Sequence, residues 1–185
     1  MKKIAVFASG SGTNMENIAK YLEKRPIKVC GVFTNNEHAF VINRAKKLNI
    51  PIYIFNRDEF LSGKILKSLQ DCNPDLIVLA GFLWLIPFDI ISAFENRIIN
   101  IHPALLPKYG GKGMYGDNVH KEVIKNKENE SGITIHYVNE LYDEGSIIFQ
   151  KKCSINKSDT YESLAKKIHE LEYQYYPQII ESLLL

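Results

Sequence analysis

The feature that most constrains this chain is an uninterrupted apolar run, Ile4-Ala5-Val6-Phe7-Ala8, that ends directly in the turn Ser9-Gly10-Ser11-Gly12-Thr13-Asn14. A strand with nothing polar at either alternating position has to be covered on both faces, as in a parallel sheet flanked by helices. Beyond the turn, Met15, Ile18, Ala19 and Leu22 recur at the period of one helical face, predicting a helix over Met15–Lys24 that packs back on the strand.

The same alternation continues through the first half of the chain. Ile27–Phe33 reads as a strand, Ala39–Leu48 as a helix and Pro51–Phe55 as a short strand. Asn56-Arg57-Asp58-Glu59 offers an N-cap with Glu at the third helical position, starting a helix through about Gln70. Asp75–Ala80 is a very apolar strand ending at Gly81, followed by a short helix around Asp89–Phe94 and a strand over Arg97–Ile101. Strands alternating with helices imply right-handed crossovers and a doubly wound, Rossmann-like sheet. After His102 the pattern changes. Pro103, Pro107, Gly110, Gly111, Gly113 and Gly116 crowd one loop, and a helix over Asp117–Lys125 leads to a polar turn, Asn126–Ser131. Ile133–Val138 and Ser146–Lys152 read as strands, joined by a loop, Asn139–Gly145, short enough for an antiparallel pair. Asp159-Thr160-Tyr161-Glu162 is a second capping signature, opening a long amphipathic helix. The expected fold is α/β: a doubly wound, mostly parallel sheet flanked by helices, with an antiparallel pairing among its last strands. A single domain over 1–185 is expected, since 185 residues at 45% hydrophobic content bury one sizeable core.

Charged residues make up 24% of the chain and are interspersed, and a formal net charge of +2 gives no electrostatic case for nucleic acid as a partner. Apolar runs such as Leu76–Phe82 fall far short of the ~20 residues that span a bilayer. Ser9–Gly12 interrupts the first apolar stretch too early for a signal peptide, so a cytoplasmic location without membrane attachment is expected. Cys30, Cys72 and Cys153 are far apart, without a Cys-x-x-Cys pair or a His at zinc spacing, and read as reduced thiols.

The first turn resembles a dinucleotide fingerprint but fails it. Gly10-x-Gly12 lacks the third glycine, and the second strand ends Thr34-Asn35-Asn36 without the acidic residue that would take a ribose hydroxyl. The backbone N–H groups of Gly12, Thr13 and Asn14 still stand at a helix N-terminus, which suits a monophosphate; a plain glycine-rich turn would look the same. Asn100 and His102 lie two apart at a strand end, so their side chains share a face, at the sheet edge that carries the Gly-rich turn. Histidine titrates near neutrality, and a fixed asparagine amide can bond a developing oxyanion. Asp143 by itself looks like a solvated turn residue, and His136 is as easily an interior histidine as a site member. His38, His120 and His169 have no motif that bears on chemistry.

Taken together, Ser9–Asn14, Leu79-Ala80-Gly81-Phe82, Asn100–Tyr109 and Asp143-Glu144-Gly145 resemble the phosphoribosylglycinamide formyltransferases, folate-dependent one-carbon transferases of purine synthesis. The resemblance runs from Met1 to Tyr176-Pro177 in the last helix. It implies formyl transfer from 10-formyltetrahydrofolate, as donor cosubstrate, to the amine of glycinamide ribonucleotide, without a metal, by a monomer or homodimer acting on small molecules. The phosphate-binding half would be about 1–100, and the folate-binding and catalytic half about 101–185. Carried over by position, His102 would be the general acid, Asn100 would bond the formyl oxygen, and Asp143 would keep His102 protonated and relay a proton. A neighbouring carboxylate is expected to lift the His102 pKa above about 6.5. Gly12, Thr13 and Asn14 match the family's phosphate turn, and Glu172 the contact to the ribose hydroxyls. The folate would lie against Leu83, Trp84, Leu85 and Ile86, with Asn100, Asn139, Glu140 and Asp143 also in contact. Trp84 stands where many members have Arg, and Gly110–Gly116 departs from the Pro-Gly and His-rich loop of others. Arg57 is displaced by one position from a family arginine and is left out of the site.

Two alternatives stay open. A formyltetrahydrofolate hydrolase would use the same three residues with water as acceptor; such relatives carry an extra N-terminal domain, and this chain begins directly at its first strand. A noncatalytic folate- or nucleotide-binding module could share the fold.

Overall fold

All residues, 1–185, are described by a computed structural model. The strands are β1 (Lys2–Phe7), β2 (Ile27–Thr34), β3 (Ile52–Ile54), β4 (Leu76–Leu79), β5 (Ile98–His102), β6 (Glu130–Tyr137) and β7 (Ile147–Ser154). Between and after them run α1 (Thr13–Leu22), α2 (Val41–Lys47), α3 (Arg57–Leu61), α4 (Lys64–Cys72), α5 (Phe88–Ala93), α6 (Asp117–Lys125) and α7 (Tyr161–Leu184).

The strands form one sheet in the order β3-β2-β1-β4-β5-β6-β7. Pairings from β3 to β5 are parallel, whereas β6 runs antiparallel to both β5 and β7. The chain winds outward from β1 to β3 and returns to β4 on the other side of β1. That reversal opens a crevice beyond the carboxyl ends of β1 and β4, the place where open α/β sheets bind ligands.

Alternation along β1 explains why both faces are covered. Ile4, Val6 and Ala8 join an apolar cluster with residues of α1, α2, α6 and α7. Ala5 and Phe7 point the other way, into a cluster with Phe60, Ile65, Leu69 and Ile90 of α3, α4 and α5. On that second face Phe7 stacks on Phe33 with centroids 4.8 Å apart, and the aromatic packing extends through Phe82 to Trp84.

Four local expectations are corrected. The helix expected from Asn56 to Gln70 is broken at Gly63, whose φ of 82° no helix accommodates, giving α3 and α4. At the other end of the chain the N-cap of α7 is Thr160 with Ser163 as its reciprocal partner, one residue beyond the Asp159–Glu162 reading. β6 begins at Glu130, so pairing with β7 claims part of the expected polar turn. Cys30 and Cys72 are not free thiols but are joined as a disulfide, with Cα atoms 6.3 Å apart; only Cys153 is free. Their separation of 42 residues conceals a proximity that only the packing of α4 on the sheet creates.

α7 ties the sheet to the first turn. Tyr176 is fully buried, and its hydroxyl donates to the backbone oxygen of Leu79, 2.9 Å away. Pro177 has no N–H for the carbonyl one turn back, Tyr173 O. Asn17 Nδ2 of α1 donates to that oxygen instead, at 2.8 Å.

Candidate active site

A cleft of about 630 Å³ opens at the carboxyl edge of the sheet. Its first wall is the turn after β1. Gly12 takes φ 72°, and a side chain there would run into Val41, so glycine is required on both counts. Unlike α3 and α7, α1 has no side-chain cap, which leaves its first N–H groups free to meet a ligand. Arg44 holds the turn from behind, donating to Ser11 O at 2.9 Å and pairing with Glu16. Asn14 faces α7, where its Nδ2 donates to Glu172 Oε2 at 2.9 Å, while its buried Oδ1 has no partner. Ser9 Oγ accepts from Leu83 N at 3.1 Å and so ties this turn to the next wall, Leu83–Ile86.

The antiparallel register of β5 and β6 builds the centre. Asn100 lies opposite His136, and His102 opposite Thr134. Asn100 Nδ2 approaches His136 Nε2 at 3.2 Å and donates to Asp143 Oδ1 at 3.4 Å. His136 Nδ1 stands 2.8 Å from Tyr137 O and must donate to it, so in the neutral ring Nε2 is the acceptor for Asn100. His102 Nε2 likewise donates to Tyr109 O at 2.7 Å, leaving Nδ1 to face Asp143 Oδ2 at 3.5 Å. Asp143, with φ 57° in the loop after β6, also accepts from Gly111 N at 3.0 Å. One carboxylate thus accepts from the asparagine and the Gly-rich loop and faces two histidines, at 3.5 and 3.6 Å. Thr134 secures the loop below: its hydroxyl donates to Ala104 O at 2.7 Å and accepts from Leu106 N at 3.0 Å.

Burial decides the charge of this group. His102 is only 3% exposed, and desolvation pushes its pKa below the ordinary 6.5 even though Asp143 and Tyr109 O pull the other way. The expected upward shift is therefore corrected: in the ligand-free cleft, loss of solvation exceeds the attraction of the carboxylate. For Asp143, burial raises the pKa, but His136, His102 and the Gly111 amide together bring it below 3.8, so it is ionised at neutral pH.

Gly12, Thr13, Asn14, Leu83, Trp84, Leu85, Ile86, Asn100, His102, Asp143 and Glu172 all line this one cleft. Asn139 and Glu140 do not; Asn139 Oδ1 turns back to accept from Leu141 N, and Val138, Leu141 and Tyr142 form the wall instead. His120 and His169 were given no role from sequence, yet both line the cleft. His120 is buried with Nδ1 unpartnered, its pKa lowered by burial and by His169. His169 Nδ1 lies 3.1 Å from Glu172 Oε2, and this contact raises its pKa. Their i,i+3 spacing on α7 was the one signal available in sequence. Trp84 closes the aromatic cluster, with Arg57 stacked 4.9 Å above its ring.

The uncapped start of α1 and the group of Asn100, His102 and Asp143 thus meet in one cleft at the carboxyl edge of a doubly wound sheet. The formyl transferase family model matches residues 2–180, and the chain belongs to that family. It is 39% identical to phosphoribosylglycinamide formyltransferase of Haemophilus influenzae, over 98% of this chain and 86% of that protein. Its fold superposes with a TM-score of 0.91 on glycinamide ribonucleotide transformylase 1 from Geobacillus kaustophilus, 34% identical with 100% of both chains covered. The chloroplastic phosphoribosylglycinamide formyltransferase of Arabidopsis thaliana is 37% identical over 97% of this chain, which spans 64% of that protein's length. It spans 61% of the corresponding protein of Vigna unguiculata.

Proposed function

We propose that this chain transfers the formyl group of 10-formyltetrahydrofolate to the amine of glycinamide ribonucleotide, as one domain acting in the cytoplasm. The observation that carries the proposal is the meeting of Asn100, His102 and Asp143 in the cleft that also receives the uncapped end of α1. Support comes from the family match and from relatives named for this reaction. Phe82, Trp84 and Val138 pack on one apolar cluster and give the cleft an apolar wall for the folate ring system, whereas Asn14, Glu172 and His169 join in a polar group along it.

When bound, the folate supplies an activated formyl carbon. Attack by the acceptor amine makes an oxyanion and a cationic nitrogen together. Asn100 has two long bonds to give up, 3.2 and 3.4 Å, and so turns its amide to the oxyanion at small loss. His102, neutral in the empty cleft, gains a proton more readily as negative charge develops beside it, which offsets desolvation only when substrates are bound. It then donates to the departing folate nitrogen. Asp143, ionised before attack, takes the proton lost from the amine and relays it to His102, whose own proton has gone to the folate nitrogen, so both groups are restored. Gly12, Thr13 and Asn14 would bind the phosphate and Glu172 the ribose hydroxyls. Leu83, Trp84, Leu85 and Ile86 would hold the folate, with Asn139 and Glu140 at most bordering it.

The test is incubation of purified protein with 10-formyltetrahydrofolate, with and without glycinamide ribonucleotide, following formyl loss and the formylated product. Turnover only with the ribonucleotide is expected. Formyl loss without it would establish the hydrolase, and no loss in either mixture would leave a binding module.

A further inference from the structure

Charge in the cleft is lopsided. Asp117, Asp143 and Glu172 line it, against a single lysine or arginine, Lys112. Three of its histidines do little to redress the balance. His102 and His120 are held towards their neutral forms by burial, and His169 faces Glu172 at 3.1 Å. A phosphate monoester near neutrality brings roughly −1.5 to −2 charges. The end of α1 offers the equivalent of about half a positive charge. With Glu172 offset in part by His169, such an anion would still enter against Asp117 and Asp143, and Lys112 is the one lysine or arginine within the walls.

Lys112 is placed to be that cation. It is exposed, and it has no carboxylate partner, whereas Lys108, Lys125 and Lys152 are each paired with a glutamate. Its predecessor Gly111 is anchored by Asp143 Oδ2, which fixes the root of the loop, while the space around Gly111 and Gly113 is open. The segment then leads into α6, where His120 is within electrostatic reach of His169 and Glu172 in the polar group of the cleft. The apolar wall has a different cation beside it, Arg57 over Trp84.

We propose that Lys112 binds the phosphate of the acceptor ribonucleotide from the side opposite the α1 turn. The inference rests on the formyl-transfer reading. Steady-state kinetics of Lys112→Ala and Lys112→Arg test it, together with calorimetric titration of ribose 5-phosphate and of ribose. In Lys112→Ala the ribonucleotide KM is expected to rise about 10- to 100-fold, the range of one charge-assisted hydrogen bond, with the folate KM unchanged. Ribose 5-phosphate affinity should fall by a similar factor and that of ribose should not; the arginine variant should recover most of the loss. Unchanged ribonucleotide KM and ribose 5-phosphate affinity, or a rise confined to the folate KM, would overturn the assignment. Lys112-dependent ribose 5-phosphate binding without any formyl transfer would sink the parent reading and leave the phosphate contact standing. Normal transfer by the alanine variant, with ribose 5-phosphate affinity intact, would do the reverse.

Discussion

Replacing Asp143 by Asn probes the centre of the proposed mechanism, because it removes one charge and keeps the shape. The carboxylate lies 3.5 Å from His102 Nδ1, and the two side chains are 10% and 3% exposed. At that separation and an effective dielectric constant of about 20, opposite unit charges attract by about 5 kcal/mol. Asp143 shares its oxygens with Gly111 and Asn100, and part of the attraction is screened at the cleft mouth. A remainder of about 1–3 kcal/mol corresponds to about 1–2 pKa units. Burial already lowers the His102 pKa, so in Asp143→Asn it should fall by about that further amount. With the proton acceptor also gone, the rate of formyl transfer should drop by ~10² or more. Two measurements check this: NMR titration of His102, and the pH dependence of kcat with both substrates saturating. A near-normal rate would refute the role of Asp143, and an unmoved His102 titration would refute the charge coupling on which the argument depends.

Three other expectations concern the frame and its titration. Tyr176→Phe removes a fully buried donor from Leu79 O and should lower unfolding free energy by about 1–2 kcal/mol in urea melts; an unchanged midpoint and slope would contradict the tie between α7 and the sheet. Gly12→Ala forces a left-handed φ on alanine and drives its methyl into Val41, so a loss of about 2 kcal/mol or more is expected, with weakened ribose 5-phosphate binding. Wild-type stability and binding in that variant would show that the turn relaxes freely. His120 is buried with a lowered pKa, so its contribution is present above 6.5 and is lost as pH falls through its lower folded value. His120→Gln should therefore flatten the decline in stability below pH 6.5 in paired melts at several pH values, and an equally steep decline would reject the assignment.

The fold was largely legible because its signals are local and repeated. Ile4–Ala8 already required cover on both faces, and the glycine-rich turn after it located the sheet edge that carries the cleft. Helix breaks were less legible. Gly63 interrupts good helix-forming sequence with only its own missing side chain to announce it. Asn100 and His102 could be paired from their spacing, but His136 could not be added to them, because the register of β5 on β6 depends on contacts 36 residues apart. The Cys30–Cys72 link is hidden for the same reason. The sign of the His102 shift was misjudged because the neighbouring carboxylate can be inferred from a motif, whereas depth of burial belongs to the folded chain. Lys112 and the histidines of α6 and α7 acquire meaning only once the charges lining one cleft can be compared.

The proline in α7 bears on how two contact points are held apart. A regular helix would pair residue 177 with Tyr173 O, and Asn17 would have to share that acceptor. Pro177 withholds that bond, and the vacancy becomes a rivet between the helix that begins at the phosphate turn and the helix that carries Glu172. Asn14 to Glu172 fastens the same two helices at the cleft, one helical turn from Asn17. These attachments, with Tyr21 to Glu181 further along the same helices, oppose the rocking that a single one would allow. The interval between Thr13 and Glu172 then behaves as a fixed gauge, set by a flaw in one helix.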